Sequence, residues 1–113
     1  MLFRSQVKKE LKSFCRALND GDAHAAYSLT THTYQAAESE QVFAANILGG
    51  YPRADSCTHA KLTAGSQDAA ATLTITTGIP PGHHRINQLV YEWDVKLVKH
   101  GSKWLIAQLK PER

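Results

Sequence analysis

Cysteine is scarce in this chain: Cys15 and Cys57 are the only two in 113 residues. That is too few for a disulfide-dense scaffold or a four-thiolate zinc site. Long apolar runs are missing, and none approaches the ~20 residues that a membrane span needs. Neither sign of charge dominates, with 13 Lys and Arg against 10 Asp and Glu and a net charge of +3. Lys8, Lys9 and Lys12 cluster, but Glu10 interrupts them and no aromatic residues interleave. A solvated helix face is expected there, and no nucleic-acid partner. Familiar chemical motifs are also absent. Gly49-Gly50 ends a helical pattern instead of opening one, so it lacks the geometry that cradles a phosphate. There is no Gly-x-Ser-x-Gly elbow and no His-Glu-x-x-His pair. Of the six histidines, His24, His32, His59, His83, His84 and His100, only His83 and His84 are close in sequence. Neighbours in an extended segment point in opposite directions, so no metal site is expected, and no cofactor. The opening Met1-Leu2-Phe3-Arg4-Ser5 lacks the basic, apolar and small-residue order of a signal peptide. That leaves a cytosolic chain or a mature segment whose leader was removed.

What is present suits one small domain spanning residues 1–113. A 12.5 kDa chain exposes roughly 6,200 Å² folded against roughly 18,000 Å² unfolded, enough burial for one core. Hydrophobic residues make up 42% and charged residues 20%, which excludes disorder. Phe3, Val7, Leu11, Phe14, Cys15 and Leu18 recur at helical spacing and predict an amphipathic helix from Leu2 to Leu18. Asn19-Asp20-Gly21-Asp22 ends it, with Gly21 suited to a left-handed turn and Asp22 to capping a second helix, Ala23 to Leu29. A further turn is expected from Tyr34 to Ala37. Ser39 caps a third helix with Val42, Phe43, Ile47 and Leu48 on its apolar side.

After Asp55 the pattern turns to alternation. Cys57, His59, Lys61 and Thr63 fall on one face of a first strand, and Thr58, Ala60, Leu62 and Ala64 on the other. A second strand runs from Ala69 to Thr77. The loop Gly78 to His84 contains Pro80 and Pro81 and cannot join a central ladder. A third strand, Ile86 to Val98, puts Leu89, Tyr91, Trp93, Val95 and Leu97 on one face. A last strand spans Lys103 to Lys110. Helices first and a strand meander after predict an α+β fold, with the helices packed on one face of a curved antiparallel four-stranded sheet.

Two stretches carry a resemblance. Phe14-Cys15-Arg16-Ala17-Leu18-Asn19-Asp20-Gly21-Asp22-Ala23-His24-Ala25-Ala26-Tyr27-Ser28-Leu29 resembles the opening of the nuclear-transport-factor-2-like superfamily: an apolar helix, a Gly-Asp turn, then an Ala-Tyr helix. Val95-Lys96-Leu97-Val98-Lys99-His100-Gly101-Ser102-Lys103-Trp104-Leu105-Ile106 resembles that superfamily's closing hairpin. The likeness is closest to small domains of bacterial lipoproteins and secreted proteins of unknown function. It implies a cone-shaped domain whose bent sheet wraps the helices around a pocket. It names no activity, because this fold hosts isomerases, dehydratases, ligand binders and structural modules alike.

The resemblance also ranks the candidate residues. It brings the first helix onto the sheet, so Cys15 and Cys57 are expected to approach. A bridge between them would close a loop of about 43 residues, worth roughly 4 kcal/mol by chain entropy, and would favour an extracytoplasmic location. Tyr27, Phe43, Tyr91 and Trp93 are expected to line the pocket, which would take a small apolar ligand. Ketosteroid-isomerase-like relatives place a carboxylate in such a pocket. Here alternation turns Glu92 and Asp94 away from Tyr91 and Trp93. The acid–base alternative is therefore a pair of His32 or His59 with Tyr34 or Tyr91. The last hairpin is apolar on both faces. A two-residue Gly101-Ser102 turn pairs Leu97 with Ile106 and Val98 with Leu105; a three-residue turn pairs Leu97 with Leu105. Val90, Val98 and Leu105 are the residues expected to form a sheet-to-sheet homodimer. The expected function is a non-catalytic ligand-binding or interaction module. The alternatives are a small isomerase- or dehydratase-like enzyme and a structural dimerisation domain.

Overall fold

A computed structural model describes residues 2–77 and 89–111, with the side chains of Leu2, Phe3 and Leu89 excepted. His83, His84 and the expected strand start at Ile86 lie outside the described residues. The elements are α1 (Leu2–Asn19), α2 (Ala23–Tyr27), α3 (His32–Ala37), α4 (Glu40–Leu48), β1 (Ser56–Ala64), β2 (Asp68–Thr77), β3 (Leu89–His100) and β4 (Lys103–Pro111). The strands form one antiparallel meander in the order β1-β2-β3-β4. The fold is α+β, with the helices packed against the sheet.

Helix α1 supplies Val7, Leu11, Phe14 and Leu18, all fully buried, against Leu73, Ile75, Val95, Leu97 and Ile106 of the sheet. Trp104 is also buried, and its indole N–H donates to Gln6 Oε1 of α1 at 3.2 Å. The helix stops where the Asp22 amide reaches back to Ala17 O. Gly21 sits at φ +76, and a Cβ there would meet Pro52 O at 2.9 Å. Left-handed backbone and close approach both require glycine at that position. Asp22 then caps α2 by accepting from the Ala25 amide at 3.0 Å.

The helical region differs from expectation at two points. Helix α2 ends at Tyr27, not Leu29, because the next residues are drawn to β4: the Ile106 amide donates to Leu29 O and the Thr31 amide to Ile106 O, each at 2.9 Å. The expected turn is a full short helix, α3, capped by Thr31, whose hydroxyl accepts from the Tyr34 amide. On α4, Phe43, Ile47 and Leu48 are buried as the pattern requires, but Val42 is 49% exposed.

Two bulges repair the strands' inconsistent alternation. In β1, Lys61 and Leu62 together face Ala71, between the pairs Ala60↔Thr72 and Thr63↔Ala70. Lys61 takes φ +55 to make the extra step. The step puts Leu62 and Ala64 on the buried side with Cys57 and His59 and leaves Lys61 and Thr63 outside, so strict alternation assigned every residue from Lys61 to Ala64 to the wrong face. In β4, Leu97↔Ile106 is followed by Lys96↔Gln108, so Ala107 is the extra residue. Leu109 thereby joins Trp104 and Ile106 against the core. The hairpin has the two-residue turn, with Val98↔Leu105 and His100↔Lys103 paired and Gly101 at φ +61. Such bulges bend a strand and deepen its twist, curving the sheet around the helices.

Candidate functional site

The site is built from the short helices upward. Tyr27 donates its hydroxyl to Glu38 O at 2.6 Å and lies 3.1 Å from Gln35 O. Gln35 Nε2 donates to Tyr27 O at 3.1 Å and to Thr30 Oγ1 at 3.2 Å. These bonds hold the end of α3 against α2. Phe43 of α4 packs among three rings, with centroids 5.5 Å from Tyr27, 6.1 Å from Phe14 and 6.2 Å from Tyr34. These contacts tie α3 and α4 together where they face β3 and β4.

Between that unit and the sheet lies a cleft of about 440 Å³. Phe43, Ile47, Trp93 and Leu109 give it apolar walls, with Tyr91 and Pro111 at the sheet end and Tyr34, Glu38 and Asn46 on the helical side. Tyr91 shares the inward face with Trp93 but is 46% exposed. Trp93 is buried, and its indole N–H has no acceptor among the described residues.

The polar centre of the cleft is a pair. Tyr34 donates its hydroxyl to Glu38 Oε2 at 2.7 Å. Burial raises the phenol's pKa, and the bond to Glu38 and its charge raise it further. Tyr34 is thus a neutral donor throughout the physiological range and not a base. Glu38 caps the C-terminus of α3 in extended geometry, which turns it out of the helix. Its Oε1 has no partner among the described residues. The arrangement can accept a hydrogen bond from a hydroxyl or amine while apolar walls hold the remainder of a ligand.

Sequence reasoning missed Glu38. Alternation points only to the strand acids, and Glu92 and Asp94 are exposed, opposite Thr74 and Thr72 on the outer face. The available signal was an acid four residues after Tyr34 at the close of a helical turn, although its reach to the hydroxyl depends on where α3 ends. Of the expected lining residues, Phe43, Tyr91 and Trp93 stand around the cleft. Tyr27 does not, since it lies behind Phe43 with its hydroxyl on two carbonyls.

The histidines are elsewhere. His32 opens α3, exposed and outside the cleft lining. His59 faces α1 in a separate hollow beside Cys15, Cys57, Lys12 and Arg16. Burial lowers its pKa, and the charges of Lys8 and Lys12 lower it further. No expected His–Tyr pair is assembled at the cleft. Cys15 and Cys57 are bridged, with Cα atoms 5.2 Å apart, joining α1 to β1. Val98 and Leu105 are cross-strand partners on the outer face, both partly covered. Val90 is 58% exposed but stands eight residues away along β3, with Glu92, Asp94 and Lys96 between them on the same face. The three do not form one continuous patch. No helix among the described residues is long and apolar enough to cross a membrane, and no cluster of three or more potential ligands that could hold a metal ion occurs among them.

No protein-family model and no curated protein matches the chain. Solved structures do. One is an NTF-2 like protein of unknown function from Shewanella oneidensis, similar over 96% of this chain and 98% of its own, with a TM-score of 0.71 and 13% identity. Another is a function-unknown protein from Mycobacterium tuberculosis, with 96% and 76% coverage, a TM-score of 0.58 and 15% identity. Near-complete coverage at such low identity is a likeness of architecture, and with the four-stranded meander wrapped on its helices this chain has the nuclear-transport-factor-2-like fold.

Proposed function

We propose that this protein is a non-catalytic binding module whose cleft takes a small, largely apolar molecule carrying one hydroxyl or amine donor. One observation carries the reading: an apolar cleft of about 440 Å³ whose helical side holds the Tyr34–Glu38 pair. That volume falls within the range of small-molecule sites, which combine apolar walls with a few placed polar groups. Binding is favoured over catalysis because Tyr34 is held protonated and bonded to Glu38, while His32 and His59 stand outside the cleft. The Cys15–Cys57 bridge supports an extracytoplasmic location, where disulfides persist.

The test uses N-phenyl-1-naphthylamine, a fluorescent amine with an apolar body. Saturable enhancement with the native protein is expected. Asn46 is exposed on α4 and lines the cleft, so Asn46→Trp would fill the cleft without replacing a buried residue. The variant is expected to weaken binding at least about tenfold, or ~1.4 kcal/mol. Equal binding by the variant, or no saturable signal from the native protein, overturns the reading.

A self-contact through the sheet remains a second proposal, narrowed to the paired Val98 and Leu105. Their apolar surface lies beside the hairpin turn, with Val90 too far along β3 to extend it.

A further inference from the structure

The Cys15–Cys57 bridge is not sealed inside the core. Both cysteines line an open hollow of about 350 Å³ between α1 and β1. Cys15 is 6% exposed, whereas Cys57 is part-exposed, so Cys57 is the more accessible residue of the pair. The rim is cationic. Lys12 and Arg16 line it, and Lys8, one turn earlier, acts with its charge on His59 at the same place. Four-residue spacing sets Lys8, Lys12 and Arg16 in one stripe along the helix. No carboxylate lines the hollow, and none of these three cations takes part in an ion pair among the described residues.

We propose that this hollow is a thiol–disulfide exchange site for small anionic thiols, with Cys57 as the sulfur attacked. The incoming thiolate displaces Cys15 from Cys57 Sγ. A new S–S bond forms between reagent and Cys57, and the electron pair of the old bond leaves on Cys15 Sγ as a thiolate. The Cys15 thiolate can attack back, expelling the reagent and restoring the bridge. Alternatively a second thiolate attacks the mixed disulfide, which leaves two reduced cysteines and one oxidised reagent pair. The external thiol is thus both nucleophile and reductant. Positive charge acts twice: it concentrates an anionic reagent at the mouth, and it stabilises the departing thiolate. Access and thiolate fraction set the remainder of the rate.

The experiment measures the reaction of the native, folded protein with 2-mercaptoethanesulfonate and with cysteamine, anionic and cationic thiols of similar size. Intact mass after acid quenching follows the mixed disulfide, and peptide mapping locates it. The readout is the ratio of the two rate constants, compared between the native protein and Lys12→Gln/Arg16→Gln. The thiols' own pKa values cancel in that comparison. The native ratio is expected to exceed the variant's by on the order of tenfold at low salt, converging at high salt as screening removes the field. The adduct is expected on Cys57. Circular dichroism establishes that both proteins are folded, and Arg16→Gln alone should give an intermediate ratio. Equal ratios, reaction only under denaturation, or an adduct on Cys15 would each overturn the proposal.

Discussion

Tyr34 and Glu38 face each other across 2.7 Å at the helical side of the cleft, hydroxyl to carboxylate, one from the body of α3 and one from its C-cap. The bond holds the carboxylate at a cleft with apolar walls and keeps the phenol protonated. Tyr34→Phe removes the donor from a half-buried acceptor and is expected to cost about 1 kcal/mol in urea unfolding. The phenol's pKa is raised on folding, so its contribution is complete below pH 10 and lost as pH rises above that value. Stability of the native protein should therefore decline more steeply above pH 10 than that of Tyr34→Phe. Absorbance titration should show a tyrosine component that ionises well above pH 10 and is missing from Tyr34→Phe.

Lys61 adopts φ +55 to form the β1 bulge. Left-handed backbone costs a non-glycine residue roughly 1–2 kcal/mol, partly offset in a glycine variant by greater unfolded-state freedom. Lys61→Gly should therefore raise stability by about 0.5–1 kcal/mol. Lys61→Val, β-branched and intolerant of positive φ, should lower it by about 1–2 kcal/mol. Urea midpoints of the two variants, shifting in opposite directions, check the bulge.

The Cys15–Cys57 bridge ties α1 to the edge strand β1. Thiol titration of the denatured protein is expected to find no free thiols without reductant and two after reduction. Cys15→Ala/Cys57→Ala should lose about 2–4 kcal/mol of stability, the usual range for closing a loop of this length. Guanidinium unfolding measures the loss.

His24 and His59 should titrate on opposite sides of the ordinary histidine value. His24 donates to Glu40 Oε1 at 2.8 Å on the surface, and that bond, with Glu40's charge, raises its pKa. Its contribution to stability is complete below pH 6.5 and fades as pH rises through the folded value. His59 is lowered by burial first and by Lys8 and Lys12 second. The stability linked to keeping it neutral is present above pH 6.5 and lost as pH falls toward its folded value. Proton NMR of the imidazole resonances should show both shifts. Glu40→Gln should return His24 toward 6.5, and Lys8→Gln/Lys12→Gln should raise His59 only partway, because burial remains.

A second copy docking at Val98 and Leu105 would give a dimer by sedimentation at high protein concentration. Leu105→Lys should then shift the equilibrium to the 12.5 kDa monomer. A monomer for both proteins at every concentration would remove the sheet contact.

Much of the fold was legible because local rules and burial agreed. Phe14 and Leu18 recur at helical spacing on α1, and Gly21 with Asp22 marks the turn that follows. Trp93, Val95 and Leu97 are spaced correctly for β3 at every buried position. The site was less legible. Glu38 reaches the cleft only because α3 ends where it does, and that end is held by Tyr27 and Gln35. His59 reads equally well as a pocket residue or a neighbour of α1 until the packing of helix on strand is known.

The sequence by itself determined the placing of helices before a four-strand meander, the buried face of α1, the helix-ending turn at Gly21 and the separation of Glu92 and Asp94 from Trp93. Each follows from spacing, capping chemistry or backbone freedom within a few residues. Tertiary structure alone decided the extra residues at Lys61 and Ala107, because a bulge is chosen by what the neighbouring strand must bury. It also decided the meeting of Tyr34, Glu38 and Trp93 around one cleft and the placing of Cys57 beneath a row of α1 cations. Those relations join residues far apart in the chain, and only the docking of helices on the curved sheet sets their distances.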